Sequence, residues 1–341
     1  MTVNKQIAII NSVLLLLQMC FTLDAVAGNR LFDRIVSFGG SLSDSGNAFV
    51  LLSNPDKFGF TAGCDLGTPA NVPPYEQLDD FYIPDGTYAR GGHHVTNGAT
   101  WVEQLAQGKG WSGYVRPALR HDNDKAGNYA AGGARAGDFP CRFNLLDQLD
   151  AYLSDFTETS PGTLVTFELG GNDVRDALVV LAQGQDPLPV IDTALSNIAF
   201  TIQTLYAQGA RNVLLLNVPA LGNTPAVRKL NAQLPGAIAA ANALTMAFKE
   251  GLLQLQNDLN AGLPGIDIRT LDLFGLLDEI LSDPAAFGLV NTTDTCVTPE
   301  LPPFVCKKAD TYMFWDGIHP TKAVHGIMAQ RAAEVVVTMP W

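Results

Sequence analysis

The sequence predicts an α/β protein built on a parallel sheet with helices on both faces. Three observations carry that prediction. Four short apolar runs alternate with stretches of helical length, which is the strand–helix rhythm of such folds. The runs are apolar at nearly every position, as in strands buried on both faces. Two of them end in Gly-Gly followed at once by a polar residue, Ser41 after the first and Asn172 after the second. In an open parallel sheet the ligand site lies outside the carboxyl ends of the strands.

Ahead of the first run, Lys5 precedes an apolar stretch from Ile7 to Leu23, broken by Asn11, Ser12 and Gln18 and followed by Ala25-Val26-Ala27. This is the layout of a secretory signal peptide cleaved after Ala27. A membrane anchor needs about 20 predominantly apolar residues, and no later segment reaches that length. Met19 before Cys20 argues against a lipoprotein signal, which wants a small residue there. Residues 28–341 are expected to form one domain, exported to the periplasm or the medium, because no linker divides them.

Arg34–Phe38 is the first expected strand. Residues 52–95, rich in Pro, Gly, Asp and Tyr, read as a long loop insertion of the kind that shapes substrate access. Helices are expected over Thr100–Ala106 and Asn144–Asp155, and a strand over Thr163–Leu169. A helix over Val190–Ala207, a strand over Val213–Leu216 and a helix over Ala237–Leu259 follow. Ile266–Leu271 is a more mixed strand, and Thr321–Val337 is the last helix.

Composition narrows the function. Hydrophobic residues make up 47% of the 341 and charged residues only 16%, which excludes a mainly disordered chain. A net charge of −13 with no Lys/Arg cluster excludes nucleic acid as a partner. Once Cys20 leaves with the signal, Cys64, Cys141, Cys296 and Cys306 remain, an even count that suggests two disulfides in an exported chain. Cys296 and Cys306 share one Pro-rich loop and are the favoured pair, with Cys64–Cys141 by elimination; four buried free thiols are the alternative. Without CxxC or CxxH spacing no zinc site is expected, and the chemistry below requires no cofactor. Asn291-Thr292-Thr293 is a glycosylation sequon.

Four blocks carry chemistry. The first, Gly39-Gly40-Ser41-Leu42-Ser43-Asp44-Ser45-Gly46-Asn47, puts a serine at the sheet's carboxyl edge. A serine hydroxyl is a weak nucleophile that needs a base, and the base needs an orienting group. Asp316-Gly317-Ile318-His319-Pro320 supplies both locally. Of the five histidines, His325 falls inside the last helix, His121 lies in a charged, turn-rich stretch, and His93 and His94 lie in the loop insertion. Gly170-Gly171-Asn172-Asp173 offers an amide donor for an oxyanion. Asn128-Tyr129-Ala130-Ala131-Gly132-Gly133-Ala134 offers unobstructed backbone N–H groups. Each block alone also reads as an ordinary turn or helix cap.

Together, in this order, the four blocks resemble the SGNH (GDSL-type) hydrolases, from about Phe32 to Val337. Thr96–Trp101, Asn217–Gly222 and Phe314–Gly317 resemble its branch of secreted esterases, lipases and phospholipase/haemolysin-like proteins. The resemblance implies a three-layer α/β/α sandwich with a flavodoxin-like parallel sheet. It implies Ser41 as nucleophile, His319 as general base and Asp316 as its orienting partner. The oxyanion hole would be the Ser41 N–H, the Gly132 N–H and the Asn172 amide, with neighbouring Gly133 as the alternative to Gly132. The implied activity is hydrolysis of carboxylic esters, lipid-like ones first, through an acyl-enzyme. An acyltransferase using the same acyl-enzyme, or an inactive lipid- or glycan-binding protein, are the alternatives. The α/β-hydrolase signature Gly-x-Ser-x-Gly fails here, because Ser43 stands at its last position. One departure is visible: Gly40 occupies the place where the family usually carries Asp. That substitution is expected to loosen the turn before Ser41.

Overall fold

The four apolar runs become strands β1 (Arg34–Gly39), β2 (Thr163–Glu168), β3 (Asn212–Leu216) and β4 (Asp267–Leu271), all parallel and hydrogen-bonded in that order. The computed structural model describes residues 32–53, 94–120, 126–298 and 303–339. The expected signal peptide, Cys64, His93, His121 and nearly all of the 52–95 insertion lie outside the described residues.

Successive strand residues point to opposite faces, so the runs feed two cores. Val36, Phe38, Val165, Phe167, Val213 and Leu215 pack on one side, and Ile35, Leu164, Leu214 and Leu216 on the other. The first core is closed by α3 (Leu145–Asp155), α4 (Gly171–Ala182), α5 (Leu188–Ala207) and α7 (Ala237–Gly262), through residues such as Leu149, Val174, Ile198 and Phe248. The second is closed by α2 (Trp101–Lys109), α8 (Leu273–Ser282) and α9 (Lys322–Val336), through Trp101, Leu276 and Met328. The result is the three-layer α/β/α sandwich. β4 is the edge strand, which explains its mixed composition: Ile268 and Leu271 are buried while Arg269 is exposed.

A further stretch of chain lines the other edge. Ser37 N–H donates to Gly127 O at 2.8 Å, Tyr129 N–H to Ser37 O at 2.8 Å and Ala131 N–H to Gly39 O at 3.1 Å. This is parallel pairing along β1. In chain order the sheet therefore runs 2-1-3-4-5, the flavodoxin-like arrangement, and winding reverses between β1 and β2. Ser41 and Asn172 follow those two strands.

Two helices unanticipated in sequence carry their own start signals. α6 (Pro225–Gln233) begins with Pro after a Thr224 cap, and α8 follows Asp272, whose carboxylate accepts the Gly275 N–H at 3.0 Å. A third, α1 (Asn47–Ser53), follows Asp44, whose carboxylate accepts the N–H groups of Gly46, Asn47 and Ala48. The Cys296–Cys306 disulfide is present. It ties a loop beside a small two-stranded sheet of β5 (Asn291–Thr295) and β6 (Tyr312–Phe314). Cys141 is also disulfide-bonded, and Cys64, its expected partner, lies outside the described residues. Among the described residues no helix is long and apolar enough to cross a membrane.

Candidate active site

Ser41 sits in a tight turn at the carboxyl end of β1. Gly40 N–H donates to Glu168 O at 2.9 Å, which lashes the turn to β2, and Ser43 N–H donates to Gly40 O at 3.2 Å. The Gln148 amide, reaching from α3, accepts the Gly39 N–H and donates to Gly39 O, both at 2.9 Å. Gly40 does not have a positive φ, and the turn is bonded on both sides rather than slack.

The other catalytic candidates come from the loop between β6 and α9. Trp315 N–H donates to His319 O at 2.8 Å and Thr321 N–H to Met313 O at 3.0 Å, folding Asp316–Pro320 into a short hairpin. Asp316 Oδ1 accepts the N–H groups of Ile318 at 2.8 Å and His319 at 2.7 Å, and its Oδ2 lies 2.8 Å from His319 Nδ1. His319 Nε2 lies 2.8 Å from Ser41 Oγ. A carboxylate accepts only, so Nδ1 carries the ring proton and Nε2 is left to accept from the serine hydroxyl. Burial raises the Asp316 carboxyl, but the neighbouring imidazole, its hydrogen bond and the two N–H donors outweigh burial and hold it below the ordinary range. The buried acid therefore stays ionised and supports positive charge forming on the ring.

Asn172 stands in the first turn of α4. Gly170, before it, has φ 108°, and a Cβ there would lie 2.2 Å from the Phe248 ring, so the sharp strand-to-helix turn requires glycine. One Asn172 amide N–H donates to Ala134 O at 2.9 Å while its oxygen accepts from Arg175 at 3.1 Å. The second amide N–H is left for a ligand, and Asn172 borders the cavity beside Ser41.

Gly132 is placed differently from the expectation. Its N–H donates to Asp44 Oδ2 at 2.8 Å, so it is turned inward and does not border the cavity. Asp44, fully buried, collects four N–H groups in all and pins the Gly block to the serine block. Gly133, with φ 78°, borders the cavity instead.

That cavity, about 100 Å³, opens at Ser41, His319 and Asn172 and runs between the sheet and helices α8 and α9. Its walls include Leu42, Leu169, Val218, Leu277, Met313 and Met328, so it is apolar beyond its mouth. His325 takes no part: it is buried in α9, accepts the Trp101 N–H at 3.2 Å, and burial drives it down to about 3, so it stays uncharged. His94 pairs with Glu103 at 2.8 Å beside the α2 cap.

A family model described as GDSL-like Lipase/Acylhydrolase matches residues 35–332. The chain belongs to that family. With it the chain belongs to the serine ester hydrolases. Two GDSL esterase/lipases of Arabidopsis thaliana are similar to it. One is 25% identical, covering 95% of this chain and 91% of its own. The other is 26% identical, covering 91% and 87%. A phosphatidylcholine-sterol acyltransferase of Aeromonas hydrophila is 25% identical, covering 92% and 93%.

Within this GDSL-family site, sequence reasoning passed over Gln148, Asp44 and Glu168. Gln148 and Asp44 are polar yet fully buried. Glu168 closes an otherwise uncharged strand, Thr163–Glu168, and a carboxylate at a strand end carries no sign in sequence of what it faces.

Proposed function

We propose that the protein is an exported hydrolase of lipid-like carboxylic esters, made with a leader over residues 1–27 and working as one domain over 28–341. Ser41 attacks the ester carbonyl while His319 takes its proton. Asp316 orients the imidazole and stabilises it once charged. The tetrahedral oxyanion is held by the Ser41 N–H, the Asn172 amide and the Gly133 N–H. Gly133 replaces Gly132 in this role because the Gly132 N–H is committed to Asp44. His319 then protonates the leaving alcohol, and water releases the acid by the same steps in reverse. One observation carries the proposal: the Ser41–His319–Asp316 relay, 2.8 Å at each link, lies at the mouth of an apolar cavity. The cavity suits an acyl chain, and the disulfide-bonded cysteines suit an oxidising compartment.

Hydrolysis of p-nitrophenyl esters from two to sixteen carbons by the wild type, Ser41→Ala and His319→Ala tests it. The expected result is turnover that both variants lose by at least about 10³-fold. Near-wild-type rates in either variant would remove the assignment.

Acyl transfer is the second reading, favoured by the similarity to a protein named as an acyltransferase. An acceptor alcohol included with the ester distinguishes them. Transferred ester at the expense of free acid supports transfer, and free acid alone supports hydrolysis.

A further inference from the structure

Glu168 ends β2 directly beneath the nucleophile turn, and it borders the same cavity as Ser41. Its main-chain oxygen already receives the Gly40 N–H at 2.9 Å. Its side chain adds a second hold, because Ser43 Oγ lies 3.2 Å from Glu168 Oε2. The direction of that bond is set by a third group. Trp101 Nε1–H donates to Ser43 Oγ at 2.8 Å, and an indole can only donate. The serine hydroxyl accepts there and has its own proton free for Glu168. Gly40, before Ser41, is thus held by the Glu168 main chain, and Ser43, after it, by the Glu168 side chain.

Gly40 faces the same place. A Cβ built on it would lie 3.9 Å from Glu168 Oε2 and 3.8 Å from Ala134 O, which is ordinary contact with no clash. A side chain at position 40 would therefore fit and would project toward the space the Glu168 carboxyl fills. The turn carries no acid of its own, and one arrives from the adjacent strand.

We infer that Glu168 is a positioning residue for Ser41: its carboxyl braces the nucleophile turn from β2, in the space a carboxylate at position 40 would occupy. The inference rests on Ser41 being the nucleophile. Positions 40 and 168 then form an exchangeable pair, with one carboxyl required and two in conflict, since both would compete for one space.

The test is a swap in the full-length protein, read as kcat and KM on a p-nitrophenyl ester and as the rate at which a fluorophosphonate labels Ser41. Melting temperatures report folding. Glu168→Ala is expected to lower kcat and the labelling rate by about 10- to 100-fold, the range of a small displacement of a reacting group, with KM little changed. Gly40→Asp alone is expected to slow both as well. Gly40→Asp combined with Glu168→Ala is expected to recover to within about fivefold of the wild type, a non-additivity that only shared space produces. Should Glu168→Ala fail to fold, Glu168→Ser reads the same losses and the same rescue. A single Glu168 variant labelling at the wild-type rate, or a double variant losing the product of the two single losses, would overturn the inference while Ser41 remained the nucleophile. A wild type that is folded yet unlabelled would overturn both.

Discussion

Ser41 and His319 are 278 positions apart, yet their side chains meet at 2.8 Å. The sequence made this contact readable because each residue stood in a block with its own local logic. Asp316 and His319 share one turn, and Ser41 follows a strand whose end is a natural site. The direction of a single N–H was not readable. Gly132 turns inward only because Asp44, 88 positions earlier, accepts its N–H at 2.8 Å, and two adjacent glycines give no sign of which one is taken. Glu168 was hidden for another reason: a carboxylate closing a strand looks the same in sequence whether it faces solvent or a turn. Its burial has a measurable consequence. Burial raises it from 4.5 to about 8 against the pull of Ser43 and three N–H groups. Between those values the folded protein keeps a proton that the unfolded chain releases, so unfolding gains ionisation as pH rises. The contribution of Glu168 to stability is full below about 4.5 and lost by about 8. Glu168→Gln cannot ionise. Its melting temperature relative to the wild type should therefore climb between pH 5 and pH 8.5, and a difference that stays flat across that range would mean the carboxyl is not perturbed in the fold.

At the scale of elements, the four strands were legible because each is apolar almost throughout, and β4 was the least regular because an edge strand faces water on one side. The pairing of residues 127–131 along β1 was missed. Its Gly-Asn-Tyr-Ala-Ala composition lacks β-branched residues, and its partner is set by β1, not by its own pattern. α4 was hidden because its first turn is the Gly-Asn-Asp of the site itself. The Pro-rich loop at Cys296 was read correctly as disulfide-bonded, and its position gives the bond a role. Cys296 N–H donates to Phe314 O at 3.0 Å and Val297 N–H to Trp315 O at 2.8 Å. The bridged loop thereby grips the two residues that lead into Asp316. A bridge spanning 10 positions is worth about 2–3 kcal/mol on chain-entropy grounds. Replacing both cysteines by serine should lower stability by about that amount in chemical denaturation. It should also lower kcat well below the wild type at a temperature where both proteins are folded. Lower stability with unchanged kcat would show that the grip on the Asp316 loop is redundant.

For the whole molecule, the arrangement follows from where the sheet reverses its winding. The 2-1-3-4-5 order opens a crevice between β1 and β2, and the serine and the asparagine amide stand on its two sides. The third side is closed from the far end of the chain, where β6 and α9 pack on the second core and bring the Asp316–His319 loop over Ser41. That same packing leaves the apolar cavity running inward between the sheet, α8 and α9, lined by Leu277, Met313 and Met328. On the proposed function, chemistry and acyl selection are separable: the Ser41–His319–Asp316 relay sits at the mouth, and the apolar walls deeper in would read chain length. A bulkier wall should penalise long acyl groups while a two-carbon group needs only the mouth. Leu277→Trp is accordingly expected to lower kcat/KM for esters of ten or more carbons by over about tenfold relative to the acetate ester, more than the 1–3 kcal/mol worth of one methylene implies at its lower end. The acyl-length profile of the variant against the wild type measures this, with melting temperature as the check on folding. An unchanged profile would put the acyl chain outside this cavity and would leave the buried walls a purely structural part of the second core.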